Sequence, residues 1–356
     1  MPETTYRGRR AHQIASGELR VTVLVEGGHI AEVCDLASGV SPLWTPPWPS
    51  IEPSTYDPER HPEYGRDAES RLLAGIMGHN LCLDVFGGPS PEEEAAGIGV
   101  HGESSVAAYA IESTGAALTA AADLPLAGLR VARRIEVRGR AARVEETVEN
   151  LGATDRPIAW TQHVTLGPPF LRKASTRFEA TATRSKTIEW DFTSGKGSHA
   201  IGAEFDWPMV PTREGGRLDL RTLPDVPVSG AYTTHLMDPA REQAWFCAWS
   251  PEDSLAFGYV WRRADFPWLG IWEENHSRAA PPWNGATLTR GMEFGVSPMP
   301  ESRRQMIDRG SLFGVPGYRW LPAKSQASVV YTIFLQPANE MPRGVEWDGG
   351  FRAVTI

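Results

Sequence analysis

Apolar residues in this chain recur mostly at every second position, the period of a strand with one buried face. In LRVTVLVEGGHIAEVCDL, Val21, Val23 and Val25 alternate, Gly27 and Gly28 supply a turn, and a second strand follows. That pattern predicts a hairpin. GLRVARRIEVRGRAARVEETVEN repeats the design: Leu129, Val131, Arg133, Ile135 and Val137 alternate, Arg138-Gly139-Arg140 turns, and Val144, Glu146 and Val148 resume. QAWFCAWSPEDSLAFGYVW predicts another pair around Ser250–Asp253. ASVVYTIFLQP near the C-terminus is apolar on both parities, as expected of a strand covered on both faces. Helical signals are confined to two short stretches, PEEEAAG at 91–97 and ESRRQMIDRG at 301–310. Long irregular segments at 41–70 and 192–217 are rich in Pro, Gly and charge, and loops of that length are usually functional or mobile. Strand pairs continue in one style from near residue 19 to near 336, without linker, repeat or low-complexity run. The expectation is one large antiparallel all-β domain spanning 1–356.

The same period sorts the polar residues. In PIAWTQHVTLG, Ile158, Trp160, Gln162, Val164 and Leu166 share one parity, while Ala159, Thr161, His163 and Thr165 share the other. His163 stands in a row of small, hydroxyl-bearing side chains, which leaves room above a sheet; a solvated outer face would read the same way. In ATLTRGMEFGVSP, Leu288, Arg290, Met292, Phe294 and Val296 lie on one parity, and Glu293 lies on the other between Gly291 and Gly295. Those glycines clear space around a carboxylate, or mark an edge strand. GIGVHGES places His101 between glycines in a loop, RLLAGIMGHNLCLD holds Arg71, His79 and Asn80, and TTHLMDP holds His235 and Asp238. PWLGIWEENHSRAAPPWNG sets Trp268, Trp272 and Trp283 among Glu273, Glu274, Asn275, His276 and Arg278. Such a stretch suits packing, with Trp268 and Trp283 the best candidates for it. It also suits one wall of a pocket for a polar ligand with flat apolar faces, and there Trp272 and Glu274 are the candidates.

Composition narrows the functions. The chain has 356 residues, a net charge of −9 and no basic run, so nucleic acid and anionic membranes are poor partners. No apolar stretch is long enough to span a bilayer, and the N-terminal segment lacks the apolar core of a secretory signal. Three widely spaced cysteines, Cys34, Cys82 and Cys247, read as buried thiols in a reducing, cytoplasmic setting rather than as a disulfide framework or zinc site. The 13 Trp and 29 Pro point to a loop-rich β protein with an aromatic-lined cleft. The nine histidines are dispersed, with no His-x-His, His-x-x-x-His or His-x-x-Glu-His run, so no metal site is announced. Gly-x-Ser-x-Gly and phosphate-cradling glycine loops are also absent.

Four segments in order, GVHGE (99–103), VENLGATDRPIAWTQHVTLGPPF (148–170), DFPWLGIWEE (265–274) and TRGMEFGVSP (289–298), resemble the galactose mutarotase (aldose 1-epimerase) superfamily. The likeness covers roughly residues 75 to 300, and its second segment is the most specific. The resemblance implies a large antiparallel β-supersandwich with a concave sheet holding a sugar, and cofactor-free interconversion of sugar anomers. It implies His163 as general acid, Glu293 as general base and His101 as the imidazole beside the acid. Arg71 and Asn80 fall near a sugar-binding pair of the family. His79, Gln162, His235, Trp272 and Glu274 complete the expected substrate contacts. The chain departs from the pattern where the family has an aromatic residue after His-Gly (Glu103 here), where Asn-His becomes Gln162-His163, and at a sugar-holding aspartate for which His235 or Asp238 could stand in. Neither metal nor cofactor is expected. The partner would be a small sugar or sugar derivative, the assembly a monomer or homodimer. The alternative is a non-catalytic carbohydrate-binding protein on the same fold, with a β-sandwich lyase or hydrolase as a third reading.

Overall fold

A computed structural model describes residues 3–356. Two antiparallel sheets dominate it. The larger has eleven strands, ordered in space as Thr4–Tyr6, Arg9–Ala15, Leu19–Leu24, Ile30–Asp35, His79–Leu83, Trp160–Leu166, Leu288–Gly295, Trp268–Asn275, Ser229–Met237, Ala182–Thr187 and Glu204–Asp206. The smaller has eight, ordered Arg177–Ala180, Gln243–Ser250, Leu255–Arg262, Gln326–Pro337, Ala141–Asn150, Leu129–Arg138, Ala117–Leu124 and Ala110–Thr114. All three hairpins expected from the alternation are present, with Gly139 at positive φ in the second turn.

The main core lies between the sheets. Val164, Met292, Phe294, Leu269 and Ile271 of the larger sheet meet Val131, Phe257, Tyr259, Tyr331 and Ile333 of the smaller. The doubly apolar strand Gln326–Pro337 is internal to the smaller sheet. Its Tyr331, Ile333 and Leu335 enter this core, and Phe334 on the other face packs with Trp245 and Val260 beneath the C-terminal Val345–Trp347 and Ala353–Thr355 pair. The two short helical signals become Pro91–Ala95 and Arg303–Arg309, each started by a serine capping box, at Ser90 and Ser302. A third helix, Ser70–Leu73, had no sequence signal. The segment 192–217 is less irregular than its composition suggests, since Glu204–Asp206 extends the large sheet and Met209–Pro211 pairs with Arg217–Asp219. Among the described residues no helix is long and apolar enough to cross a membrane.

Candidate functional site

The site is built on the face of the larger sheet that points away from the core. Direct cross-strand partners share a face, and one such row runs Asn80, His163, Glu293, Gly270, Thr234 across five strands. Their sequence neighbours face the core, as the parity of each strand requires. Gly291 earns its place on this face. A Cβ there would come within 2.4 Å of Glu293 Oε1. Gly295 instead makes room for Thr161, whose Oγ1 would lie 2.3 Å from an added Cβ.

His163 and Glu293 stand side by side at the floor of this face. As direct partners on adjacent strands they touch, with His163 Nε2 3.0 Å from Glu293 Oε1, and both are buried. The approach lacks hydrogen-bond geometry, so Glu293 Oε1 is a buried acceptor without a hydrogen-bond partner. His163 Nδ1 contacts Thr165 Oγ1 at 3.1 Å on the same strand. Burying an acceptor unpaired is costly, which marks this oxygen as a place for a ligand proton.

His101 comes from the 99–106 loop and stacks obliquely against His163, ring centroids 4.6 Å apart. The glycine after it is required, because Gly102 has φ 75° and a Cβ there would meet the Leu83 carbonyl oxygen at 2.2 Å. Glu103, standing where an aromatic residue was expected, accepts the backbone N–H groups of Leu126 and Ala127 and so anchors the loop. The tautomer of His101 follows from its neighbours. Ser105 Oγ donates to Leu81 O at 2.7 Å and must accept from Asn80 Nδ2 at 3.2 Å. The same Nδ2 therefore donates to His101 Nδ1 at 3.0 Å, leaving the His101 proton on Nε2. Burial, reinforced by His163, holds the His101 pKa well below the ordinary imidazole value. His101 is thus a neutral hydrogen-bond donor rather than an acid.

Above this polar floor lies a cleft of about 230 Å³ walled by Trp190, Phe192, Trp272, Trp283, Ile76 and Ile188. That is below the roughly 300–1,000 Å³ usual for drug-sized ligands, and suits a single small ring rather than an oligomer. Trp272 lies 5.9 Å from His163 between ring centroids. Trp283 does more than pack. It stacks on Trp44 and meets Trp48 and Trp272 edge-on, yet also lines the cleft. Trp268 is the packing residue it was expected to be, fully buried with its indole N–H on Pro316 O.

Several expected contacts lie elsewhere. His79 and Gln162 point into the core. His79 Nε2 donates to Gln162 Oε1 at 2.9 Å, Tyr331 donates to the same oxygen, and Gln162 Nε2 donates to Glu146. His235 also lies on the opposite face, between Ser185 Oγ and Thr233 Oγ1 and edge-on to Trp207, and Asp238 binds Arg241. Arg71 is exposed, donates to Pro53 O, and borders a separate depression with Glu94 and Glu103. Glu274 is on the cleft's face, but its oxygens are taken by Ser277 N, Ser277 Oγ and Arg278 N. It fixes the turn that presents Arg278. This is the arginine of the cleft, stacked 4.7 Å over Trp283 and bound to Glu69 at 2.9 and 3.0 Å. In the sequence Arg278 stands out only as one of the charged residues of 267–285, with no role, and Trp190 and Phe192 were not singled out.

No protein-family model and no curated protein matches the sequence. Solved structures do. A candidate aldose 1-epimerase from Klebsiella pneumoniae is superposable over 93% of this chain and 80% of its own, with TM-score 0.67 at 13% identity. This chain has the galactose mutarotase-like fold. A galactose mutarotase-like protein from Clostridium acetobutylicum matches 94% of the chain and 98% of its own (TM-score 0.62, 14% identity). A candidate aldose 1-epimerase from Escherichia coli K12 matches 93% and 100% (TM-score 0.62, 14% identity). No cluster of three or more His, Cys, Asp or Glu side chains is arranged to hold a metal among the described residues.

The buried imidazoles make a testable demand on stability. Burial, with Arg9 or Arg290 nearby, lowers His29 and His235 to about 3. Their unfolded values lie near 6.5. Below that pH the unfolded chain takes up protons that the folded chain refuses, so stability falls as pH falls. These two alone predict a loss of about 3 kcal/mol between pH 6.5 and 5, the slope reaching ~1.4 kcal/mol per group per pH unit only well below the unfolded pKa. His79, His101 and His199, also lowered by burial, add to it. Asp84 and Glu103, raised by burial, act in the opposite sense at more acid pH. Urea midpoints at pH 7, 6 and 5 check this, and a flat profile contradicts it.

Proposed function

We propose that this protein is a cofactor-free, aldose 1-epimerase-like enzyme, interconverting the anomers of a small cyclic hemiacetal in the outer cleft. The carrying observation is the side-by-side pair at its floor, with His163 Nε2 3.0 Å from a Glu293 oxygen that has no hydrogen bond. The hydroxyl oxygen and the ring oxygen of a hemiacetal share one carbon, so an acid and a base that serve them belong next to each other rather than across a ring. Glu293 takes the proton of the anomeric hydroxyl. The electron pair of that O–H bond becomes the carbonyl, the bond from the anomeric carbon to the ring oxygen breaks, and His163 delivers a proton to the ring oxygen. The open aldehyde turns about its first C–C bond and closes by the reverse transfers. His101 Nε2–H is a neutral donor to substrate oxygen. Trp272 offers an apolar face for the ring's C–H groups. The buried thiols Cys34, Cys82 and Cys247 suit a cytoplasmic protein.

Proton NMR of anomeric exchange, run over a panel of free aldoses and sugar phosphates, tests the reading. Exchange faster than buffer for at least one member is expected. Tight binding with exchange at the buffer rate throughout would leave a carbohydrate-binding protein instead.

A further inference from the structure

Polar and apolar surface are segregated in the cleft. Its deep end holds His101, His163 and Glu293, and its walls are Trp190, Phe192 and aliphatic side chains such as Ile76 and Ile188. The other side-chain acceptors near the cleft are already engaged, and what remains, Nε and Nη2 of Arg278 and the indole N–H groups, can only donate. Glu69 takes two hydrogen bonds from Arg278 Nη1. Both Glu274 oxygens serve the 277–278 turn. The Tyr232 hydroxyl, over Gly270 on the cleft face, donates to Pro298 O at 3.2 Å. Among side-chain carboxylates lining the cleft, Glu293 alone has an unbonded buried oxygen. An unmodified hexopyranose has a hydroxyl on nearly every ring carbon, and each O–H needs an acceptor once water is excluded. Against these walls most would find none, and a buried polar group without a partner weakens binding.

We propose that the substrate is a hydroxyl-poor cyclic hemiacetal, a deoxygenated or O-alkylated sugar, polar at its anomeric edge and apolar over the rest of the ring. This rests on the anomer-exchange reading of the same cleft. The anomeric hydroxyl and ring oxygen meet Glu293, His163 and His101, while C–H, methyl or methoxy groups meet Trp190, Phe192 and Trp272. Each hydroxyl removed from the far side of the ring removes an unmet donor and adds apolar contact.

The test measures kcat/KM for anomer exchange on galactose, glucose, 6-deoxygalactose, a 2,6-dideoxyhexose and 2-hydroxytetrahydropyran, with affinity for each read from tryptophan fluorescence. Expected is a rise of about tenfold for each distal hydroxyl removed, the order set by one unpaired buried polar group. Trp190→Gln, at an exposed wall position, brings an acceptor and should narrow the gap between dideoxy and parent sugar. Galactose or glucose handled as well as the deoxy sugars overturns the substrate class while leaving the enzyme reading intact. If no compound is turned over, the enzyme reading falls. Fluorescence then decides the ligand class alone: preferential binding of the deoxy series upholds it, and equal, reversed or absent binding overturns it.

Discussion

Glu293→Gln is expected to slow anomer exchange by roughly 10²–10⁴, the usual worth of a positioned base. The amide keeps the shape of the carboxylate and fits the space left by Gly291, so the floor of the cleft should survive. It cannot accept the proton of the anomeric hydroxyl. The interaction lost belongs mainly to the transition state, so KM should change far less than kcat. A non-catalytic sugar-binding protein forecasts the reverse: no rate to lose, and weaker binding if Glu293 holds hydroxyls. Both quantities should be measured on one sugar with the parent and the variant together. His163→Ala should match Glu293→Gln in rate, because the two side chains touch and serve one proton exchange. The double variant should then be little worse than either single one, since groups that act as a unit are not additive. Small, independent and additive effects would break the acid–base pair.

The strand parities carried most of what could be read in advance. Thr161, His163 and Thr165 do share the open face, and Met292 and Phe294 do enter the core while Glu293 does not. The same argument already placed Gln162 with Trp160 and Val164 on the bulky side. Its assignment to the substrate followed the family pattern against that parity, and the structure puts it in the core. His79 repeats the lesson, since only one of two adjacent strand residues can face the cleft, and that one is Asn80. The walls were beyond reach for a different reason. Arg278 meets Glu69 across 209 residues of sequence, and Trp190 enters from a segment with no regular period. A single sequence carries local periodicity but not which loops meet. Glu274 shows a third limit. Its face followed from parity, but hydrogen bonds to a turn three residues ahead decided what its carboxylate does.

The second large effect is expected beneath the cleft rather than in it. Arg133 and Glu146 are neighbours on paired strands of the smaller sheet and are both almost fully buried, with Arg133 Nε 2.8 Å from Glu146 Oε2. Arg133 Nη1 also donates to Gly28 O at 2.9 Å. The other Glu146 oxygen accepts from Trp160 Nε1 at 2.5 Å and Gln162 Nε2 at 2.7 Å, both on the strand that carries His163. Gln162 then takes His79, whose second nitrogen lies 3.2 Å from the Tyr259 hydroxyl. One carboxylate therefore links the smaller sheet to the two strands that present Asn80 and His163. Glu146→Leu leaves a guanidinium without a counter-charge and two donors without an acceptor, all in a dry interior. The expected loss of folding stability is about 3–5 kcal/mol, the cost of removing one partner from a buried ion pair. Arg133→Met should cost a similar amount, because it strands the carboxylate. The double variant should cost clearly less than the two losses added, since neither charge is then left alone, although Trp160 and Gln162 still lack their acceptor. Urea unfolding of the four proteins measures this coupling. Additive losses would mean that the two charges are solvated independently, and the link between the sheets would then have to rest on apolar packing alone.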